Sequence, residues 1–445
     1  MIKLRLIVGI SILLIPTLLK SQNWQSMASP LTRTVFSMYA DTLTNKLYTG
    51  KDFMGVPNGL DIWNGSSWDT LGYVATCVRS INKFQGDIIV ANGYIRKWNG
   101  ANWVQLGTGI TGPVLGLYND NDNNLYATGW FDTIGGVPAS RIAKWNGTTW
   151  SAIDTSNWST GGASICSIIY KGELYVGGNF WNNAGTINKI AKWNGTQWQS
   201  LGSGMPGGTS VVNCLEIYNN DLYVGGSFSV SSGCPGNSIA RWDGTQWLDV
   251  GGGFTGINPT IDDLKVFNGE LYASGIFDVA GGKAIQDIAK WNGTNWCGLG
   301  FGNVLSGRRV CTLDVLNNEL YLGGGFKDIN GDTMNYVSKW IGGSFTSICG
   351  NTTGINESQI NNETLNIYPN PATSHITIEF ELTRTNNTII EIKNVLGQTI
   401  KTFDNMEFLK GTNKIEIDLN EFSNGLYFVQ LQNDSNIISR KFIKQ

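Results

Sequence analysis

Histidine is almost missing: the 445 residues hold one, His375. Nothing ahead of it can run a Ser-His-Asp or Cys-His relay, and no imidazole is there for a zinc or copper site. Charge is scarce too. Asp, Glu, Lys and Arg make up 15% of the chain, the net charge is −3, and no basic stripe occurs, which speaks against nucleic-acid binding. No segment beyond the N-terminus is apolar for long enough to span a bilayer, so no transmembrane anchor is expected. There is no Cys-x-x-Cys pair. The seven cysteines are odd in number, so at least one is unpaired within the chain, and the reading adopted for most is small buried hydrophobes. No phosphate-cradling glycine loop follows a strand and opens a helix.

What is present points to strands. Glycine numbers 57, tryptophan 17, and aromatics reach 11%, a balance suited to an all-β extracellular protein. The N-terminus reads as an export signal. Lys3 and Arg5 precede an apolar run over residues 6–19, broken by Pro16. Fourteen residues are too few for a ~30 Å hydrocarbon core, so residues 1–21 are assigned as a signal peptide cut between Ser21 and Gln22.

Residues 22–350 repeat. "IAKWNGTQW" (190–198) has six relatives, whose first members are Trp63, Trp98, Trp145, Trp242, Trp291 and Trp340. Including Trp193, successive spacings are 35, 47, 48, 49, 49 and 49 residues. Before each stands a run such as "LYVGGSF" (222–228), and before that an alternating run such as "VVNCLEIYNN" (211–220). Each unit therefore holds four short strands. Asn-Asn or Lys-Gly links the first two and Asn-Gly the last two, both read as tight type I′ turns. Seven such units predict a seven-bladed β-propeller. "SQNWQSM" (21–27) matches "GTQWQSL" (195–201), so a strand at Trp24 is expected to complete the last unit in preference to the weak run at Phe345. The paired tryptophans are read as packing between units. Cys166 and Cys214 fall in first strands of consecutive units, about 10 Å apart, too far for a disulfide needing ~7 Å.

The unit resembles kelch-type propeller blades and, more closely, the repeats of secreted bacterial propellers. It departs from kelch in its two tryptophans flanking Asn-Gly, so no kelch function is carried over. Residues 351–365 are polar and aperiodic and read as a linker. Residues 366–445 alternate in runs that predict a small Ig-like β-sandwich. They resemble the C-terminal sorting domain of the type IX secretion system of Bacteroidetes, through Tyr368-Pro369-Asn370-Pro371, "NVLGQTI" (394–400) and "GLYFVQL" (425–431). The chain ends in Lys-Gln where that family has a Lys-Val-Lys type ending. The resemblance implies recognition by the type IX machinery, passage across the outer membrane, and a secreted or cell-surface protein from which this domain is removed.

Three tryptophans stand outside the repeat pattern: Trp130, Trp158 and Trp181. Trp130 ends the second strand of the third unit, Trp158 lies in the link from the third to the fourth, and Trp181 in the two–three loop of the fourth, so all three are expected on one rim. The second unit has almost no two–three loop, leaving a notch beside them. Exposed indoles there suit a glycan or a protein ligand, and the alternative is that they pack down over the junction between units. The function read from the sequence is binding or adhesion at the cell surface. The alternative is a hydrolase or lyase acting on polysaccharide through carboxylates, with Asp132, Asp278 and Asp328 recurring after the second strand. No cofactor is expected. Calcium is the one ion considered, at "DNDNN" (120–124) or "DINGD" (328–332), but Leu125 and Phe131 stand where an EF-hand loop counted from Asp120 needs Gly and Glu.

Overall fold

The computed structural model describes residues 24–52, 58–74, 77–120, 122–154, 162–182, 184–299, 309–329, 332–342, 365–382, 386–394, 399–433 and 436–445. The chain divides into two compact units, Met1–Asn351 and Thr352–Gln445. Among the described residues the only helical turn is Val230–Ser232; the rest of the regular structure is strand.

The first unit contains seven four-stranded sheets. The fifth shows how the repeat builds one. Val211–Tyr218 pairs antiparallel with Asp221–Ser227 through Asn219 and Asn220, at φ 49° and 64°, the positive pair that a type I′ turn requires. Ile239–Trp242 pairs on the far side of Asp221–Ser227, and Trp247–Leu248 closes the sheet. The second strand is buried on both faces, and its glycine has a steric cause. A Cβ at Gly225 would lie 2.6 Å from the Cys214 Sγ and 2.7 Å from Ile261 of the next sheet.

The Asn-Gly link differs from the expected two-residue turn. Trp193 pairs directly with Trp198, so four residues lie between them. Only Gly195 has positive φ, at 98°. The Asn194 Oδ1 accepts the amides of Thr196 and Gln197 at 3.0 and 2.9 Å, which satisfies the loop without a second left-handed residue. The two indoles then meet across the strands at 5.3 Å, as they do at Trp145–Trp150 and Trp291–Trp296.

The sheets are tied to one another by the same tryptophans. Indole N–H groups of Trp103, Trp150, Trp247 and Trp296 donate to the carbonyls of Leu71, Leu106, Leu201 and Val250 in the preceding sheet. The cores lie between sheets: Cys214 and Tyr218 of the fifth share one cluster with Ile261, Leu271, Trp291 and Trp296 of the sixth. First strands contact in series: Val35–Asp41, Ser80–Phe84, Val114–Asn119, Ser164–Tyr170, Val211–Tyr218, Thr260–Phe267 and Val310–Leu316, and the last contacts the first. Trp24–Ser26 is the fourth strand of the seventh sheet, with Trp24 opposite Trp340, as read from the sequence. Phe345 lies outside the described residues.

In the second unit, Leu365–Tyr368, His375–Leu382 and Gly411–Asp418 form one sheet. Thr399–Phe408, Asn386–Asn394, Gly425–Asn433 and Asn436–Lys444 form another. Alternate residues of both, among them Ile376, Ile378, Phe380, Ile390, Val429 and Phe442, share one core.

Among the described residues Cys166, Cys214, Cys234 and Cys311 are free thiols. Cys297 is in a disulfide. Cys166 and Cys214 are thus not joined, in line with their spacing.

Candidate functional site

Trp130 and Trp181 are 55% and 42% exposed, and no other described tryptophan is an exposed residue. Trp130 follows the second strand of the third sheet, Leu125–Gly129. Trp181 ends the second strand of the fourth, Glu173–Trp181. They therefore stand at the same edge of neighbouring sheets. Trp158 lies outside the described residues, as do Ser21 and Gln22.

Local hydrogen bonds place each indole. The Trp130 amide donates to the Pro113 carbonyl at 2.8 Å, and Thr111 Oγ1 accepts the amides of Asp132 and Thr133 just beyond it. Trp181 is held by pairing with Asn188 across a bulge. Asn182 Oδ1 accepts the amides of Thr186 and Ile187, which closes the loop in between.

Two cations beside these tryptophans were not legible as site residues. Lys189 is 5% exposed, and its Nζ lies 4.7 Å from the centroid of the Trp181 ring. Burial holds its ammonium below the usual lysine pKa, with Cys234 opposing. Arg141 occupies the matching place in the third sheet. Its guanidinium donates to the Gly162 carbonyl and lies 3.9 Å from Asp132. The shared position, the residue before the Ile-Ala-Lys-Trp segment or its counterpart, is left-handed in five sheets: Arg141, Lys189, Ser238, Asp287 and Tyr336, with φ from 58° to 72°. The available signal was variation: this residue changes character while the four after it stay alike. Two exposed indoles flanked by two buried cations can stack on flat apolar faces and attract negative charge.

The other candidates have structural partners. Asp132 lies beside Arg141, and Asp278 accepts the Ile257 amide, on different sheets. The Asp120 carboxylate accepts the amides of Asp122 and Asn124, the Asn124 side chain and the Tyr126 hydroxyl, so it organises its turn. Asp328 opens a short hairpin paired with Thr333. Among the described residues no group of three or more His, Cys, Asp or Glu is arranged to hold a metal ion. Nor is any described helix long and apolar enough to cross a membrane.

In the second unit the Tyr368-Pro369-Asn370-Pro371 segment is tied to the C-terminal strand. Asn370 Oδ1 accepts the Ile443 amide at 2.9 Å, and the Ala372 amide donates to the Ile443 carbonyl at 2.8 Å. The Tyr368 hydroxyl donates to Glu379 at 2.6 Å, and Lys414 pairs with the same carboxylate at 3.0 Å.

Residues 366–445 match the family of secretion system C-terminal sorting domains. A comparison with curated protein sequences finds none that matches the chain. Among solved structures, one similar chain is PorZ, an essential bacterial surface component of the type-IX secretion system of Porphyromonas gingivalis, at 13% identity and TM-score 0.47. The alignment covers 93% of this chain and 59% of that one, so this chain spans well under two thirds of its length. A GH74 enzyme of Niastella koreensis aligns at 12% identity over 94% of this chain and 74% of that one, TM-score 0.44. Sqt1 of Saccharomyces cerevisiae aligns at 12% identity over 72% and 97%, TM-score 0.39.

Proposed function

We propose that this protein, directed to the cell surface by its type IX sorting domain, is a binding or adhesion protein. Residues 22–350 would form a seven-bladed β-propeller, joined by a linker at 351–365 to a β-sandwich sorting domain at 366–445. Seven four-stranded sheets whose first strands contact in series, the last against the first, support the propeller. The ligand is a glycan or a protein, taken at the rim of Trp130 and Trp181, with Trp158 on the adjoining link. The observation that carries this reading is the exposure of those two indoles where the repeat tryptophans are packed. Buried Lys189 and Arg141 favour a ligand bearing negative charge.

Screening the secreted protein against acidic and neutral polysaccharides and surface proteins tests the rim. Trp130→Ala/Trp181→Ala is expected to weaken binding at least about tenfold, or 1.4 kcal/mol, with an unchanged melting temperature. Lys189→Met should weaken acidic ligands alone. Equal binding by the double variant sinks the rim. Release of shortened products during incubation favours the polysaccharide hydrolase or lyase instead.

A further inference from the structure

A cavity of about 540 Å³ opens where the seventh sheet meets the first. One repeat position that lines it is the last residue of the first strand. In the fourth and fifth sheets that residue is tyrosine. The hydroxyls of Tyr170 and Tyr218 reach the next sheet and donate to the carbonyls of Asn220 and Gly269 at 3.0 and 3.1 Å. In the sixth sheet Phe267 holds the same register, opposite Glu270. In the seventh the residue is Leu316, opposite Glu319. Leu316 and the neighbouring turn at Asn45 both line the cavity, and Leu316 has no phenol ring like those that Tyr170 and Tyr218 direct at the next sheet.

The walls are mixed. Trp63 supplies a half-buried indole. Asn317 Nδ2 donates to Asn45 Oδ1 at 2.5 Å, which leaves the amide nitrogen of Asn45 and the amide oxygen of Asn317 for a ligand. The Glu319 carboxylate accepts from the Tyr321 hydroxyl at 2.7 Å and from Lys339 at 2.9 Å, so the charged wall is neutral in sum. The same ion pair recurs as Glu173–Lys192 and Glu270–Lys290, so it belongs to the repeat. This seam combines that pair with a leucine where the fourth and fifth sheets carry a tyrosine.

We propose that the seam cavity is a binding site for a neutral saccharide unit. The volume falls in the ~300–1,000 Å³ range of small-molecule sites. An indole wall offers a face for sugar C–H groups, and amides beside a neutral ion pair offer donors and acceptors to hydroxyls. An anion would need surplus cations and a lipid would need an apolar lining, and the cavity has neither. The turn at Gly65 and Ser66 lines it, at the sheet edge opposite the one carrying Trp130 and Trp181, so it stands apart from the rim.

The test titrates the full-length secreted protein with glucose, galactose, mannose, N-acetylglucosamine and their β-1,4 disaccharides, followed by calorimetry and tryptophan fluorescence. At least one sugar is expected to bind with Kd below about 1 mM. Leu316→Tyr installs the ring that the fourth and fifth sheets already carry. It should abolish that binding, by more than about tenfold, without lowering the melting temperature. Asn45→Ala/Asn317→Ala, at exposed positions, should weaken it about as much with the fold intact, which covers the case in which Leu316→Tyr misfolds. Trp130→Ala/Trp181→Ala should leave it unchanged. The inference is overturned if no sugar of the panel binds, or if the folded variants bind like the parent. It is overturned as well if inorganic phosphate or glucuronate, and no neutral sugar, binds in a manner that those variants abolish.

Discussion

Trp24→Ala is expected to lower the unfolding free energy by about 3–5 kcal/mol, the range for deleting a buried aromatic side chain. Trp24 is 1% exposed and packs on Trp340 with ring centroids 4.7 Å apart. Its strand does more than fill a cavity. Gln25 accepts the Ser338 hydroxyl at 3.0 Å within the seventh sheet, and Met27 accepts the Trp68 indole N–H at 3.0 Å from the first. The segment therefore ties the last sheet to the first through bonds from both. Trp103 is the internal comparison. It makes the same kind of indole bond, to Leu71, but it is only half-buried and its strand joins two sheets already consecutive in the chain. Trp103→Ala should cost about 2 kcal/mol. Urea denaturation of the mature protein decides. Equal losses in the two variants would mean that the N-terminal strand has no special part in joining the ends of the repeat array. A domain of ordinary stability holds about 5–15 kcal/mol, so the Trp24 loss should also appear as exposed N-terminal sites in limited proteolysis.

Glu216→Gln is expected to stabilise the protein by about 2 kcal/mol at pH 8 and to do little at pH 4. The reason lies where the first strands of the fifth, sixth and seventh sheets meet. Lys265 pairs with Asp314 at 2.6 Å, and Asp263 accepts the Leu313 amide at 2.8 Å. Glu216 shares the same ammonium's field, so three carboxylates face one lysine. Burial pushes Glu216 up to about 7, with the Lys265 charge opposing and the Asp263 charge adding to the rise. Burial likewise lifts Asp263 to about 6, against the Leu313 amide that holds it down. Both folded values lie above those of an unfolded carboxylate. Their stabilising contribution is therefore complete below about pH 4 and is lost as pH rises through 6 and 7. Melting temperature should fall between pH 5 and 8 in the parent and fall less in Glu216→Gln. Asp41 works the other way. Burial opposes its ionisation, but Lys83 at 2.7 Å and the Thr44 hydroxyl hold its pKa below the usual value, so its contribution disappears as acid protonates it. A flat profile from pH 5 to 8, with no gain in the variant, would remove the buried acid cluster as a determinant of stability.

Much of this was readable in advance, for identifiable reasons. The strand order within each sheet follows from alternation, short links and a ~49-residue period, all of which act over short distances in the chain. That Trp130 and Trp181 stand outside the repeat was legible by subtraction, once the paired tryptophans had a packing role; their exposure came from the structure. The Asn-Gly loops were misjudged in detail because Asn194 can cap two amides itself, a choice that composition does not disclose. Lys189 was passed over because a lysine near the start of a strand reads as an ordinary surface residue. Only the fold lays it across the Trp181 ring.

By itself the sequence determined the repeat, the all-β architecture, the strand that completes the seventh sheet and the sorting domain. Each is written in local pattern or in a motif that can be matched position by position. Tertiary structure alone decided the seam cavity and the acid cluster. Leu316 matters because Asn45 stands across from it, and Asp314 because its carboxylate accepts the Ala40 amide, 274 residues away, at 2.7 Å. Such pairings depend on which sheets become neighbours. A leucine in place of a tyrosine changes nothing within its own strand; it lines a cavity only because the first sheet comes to lie against the last.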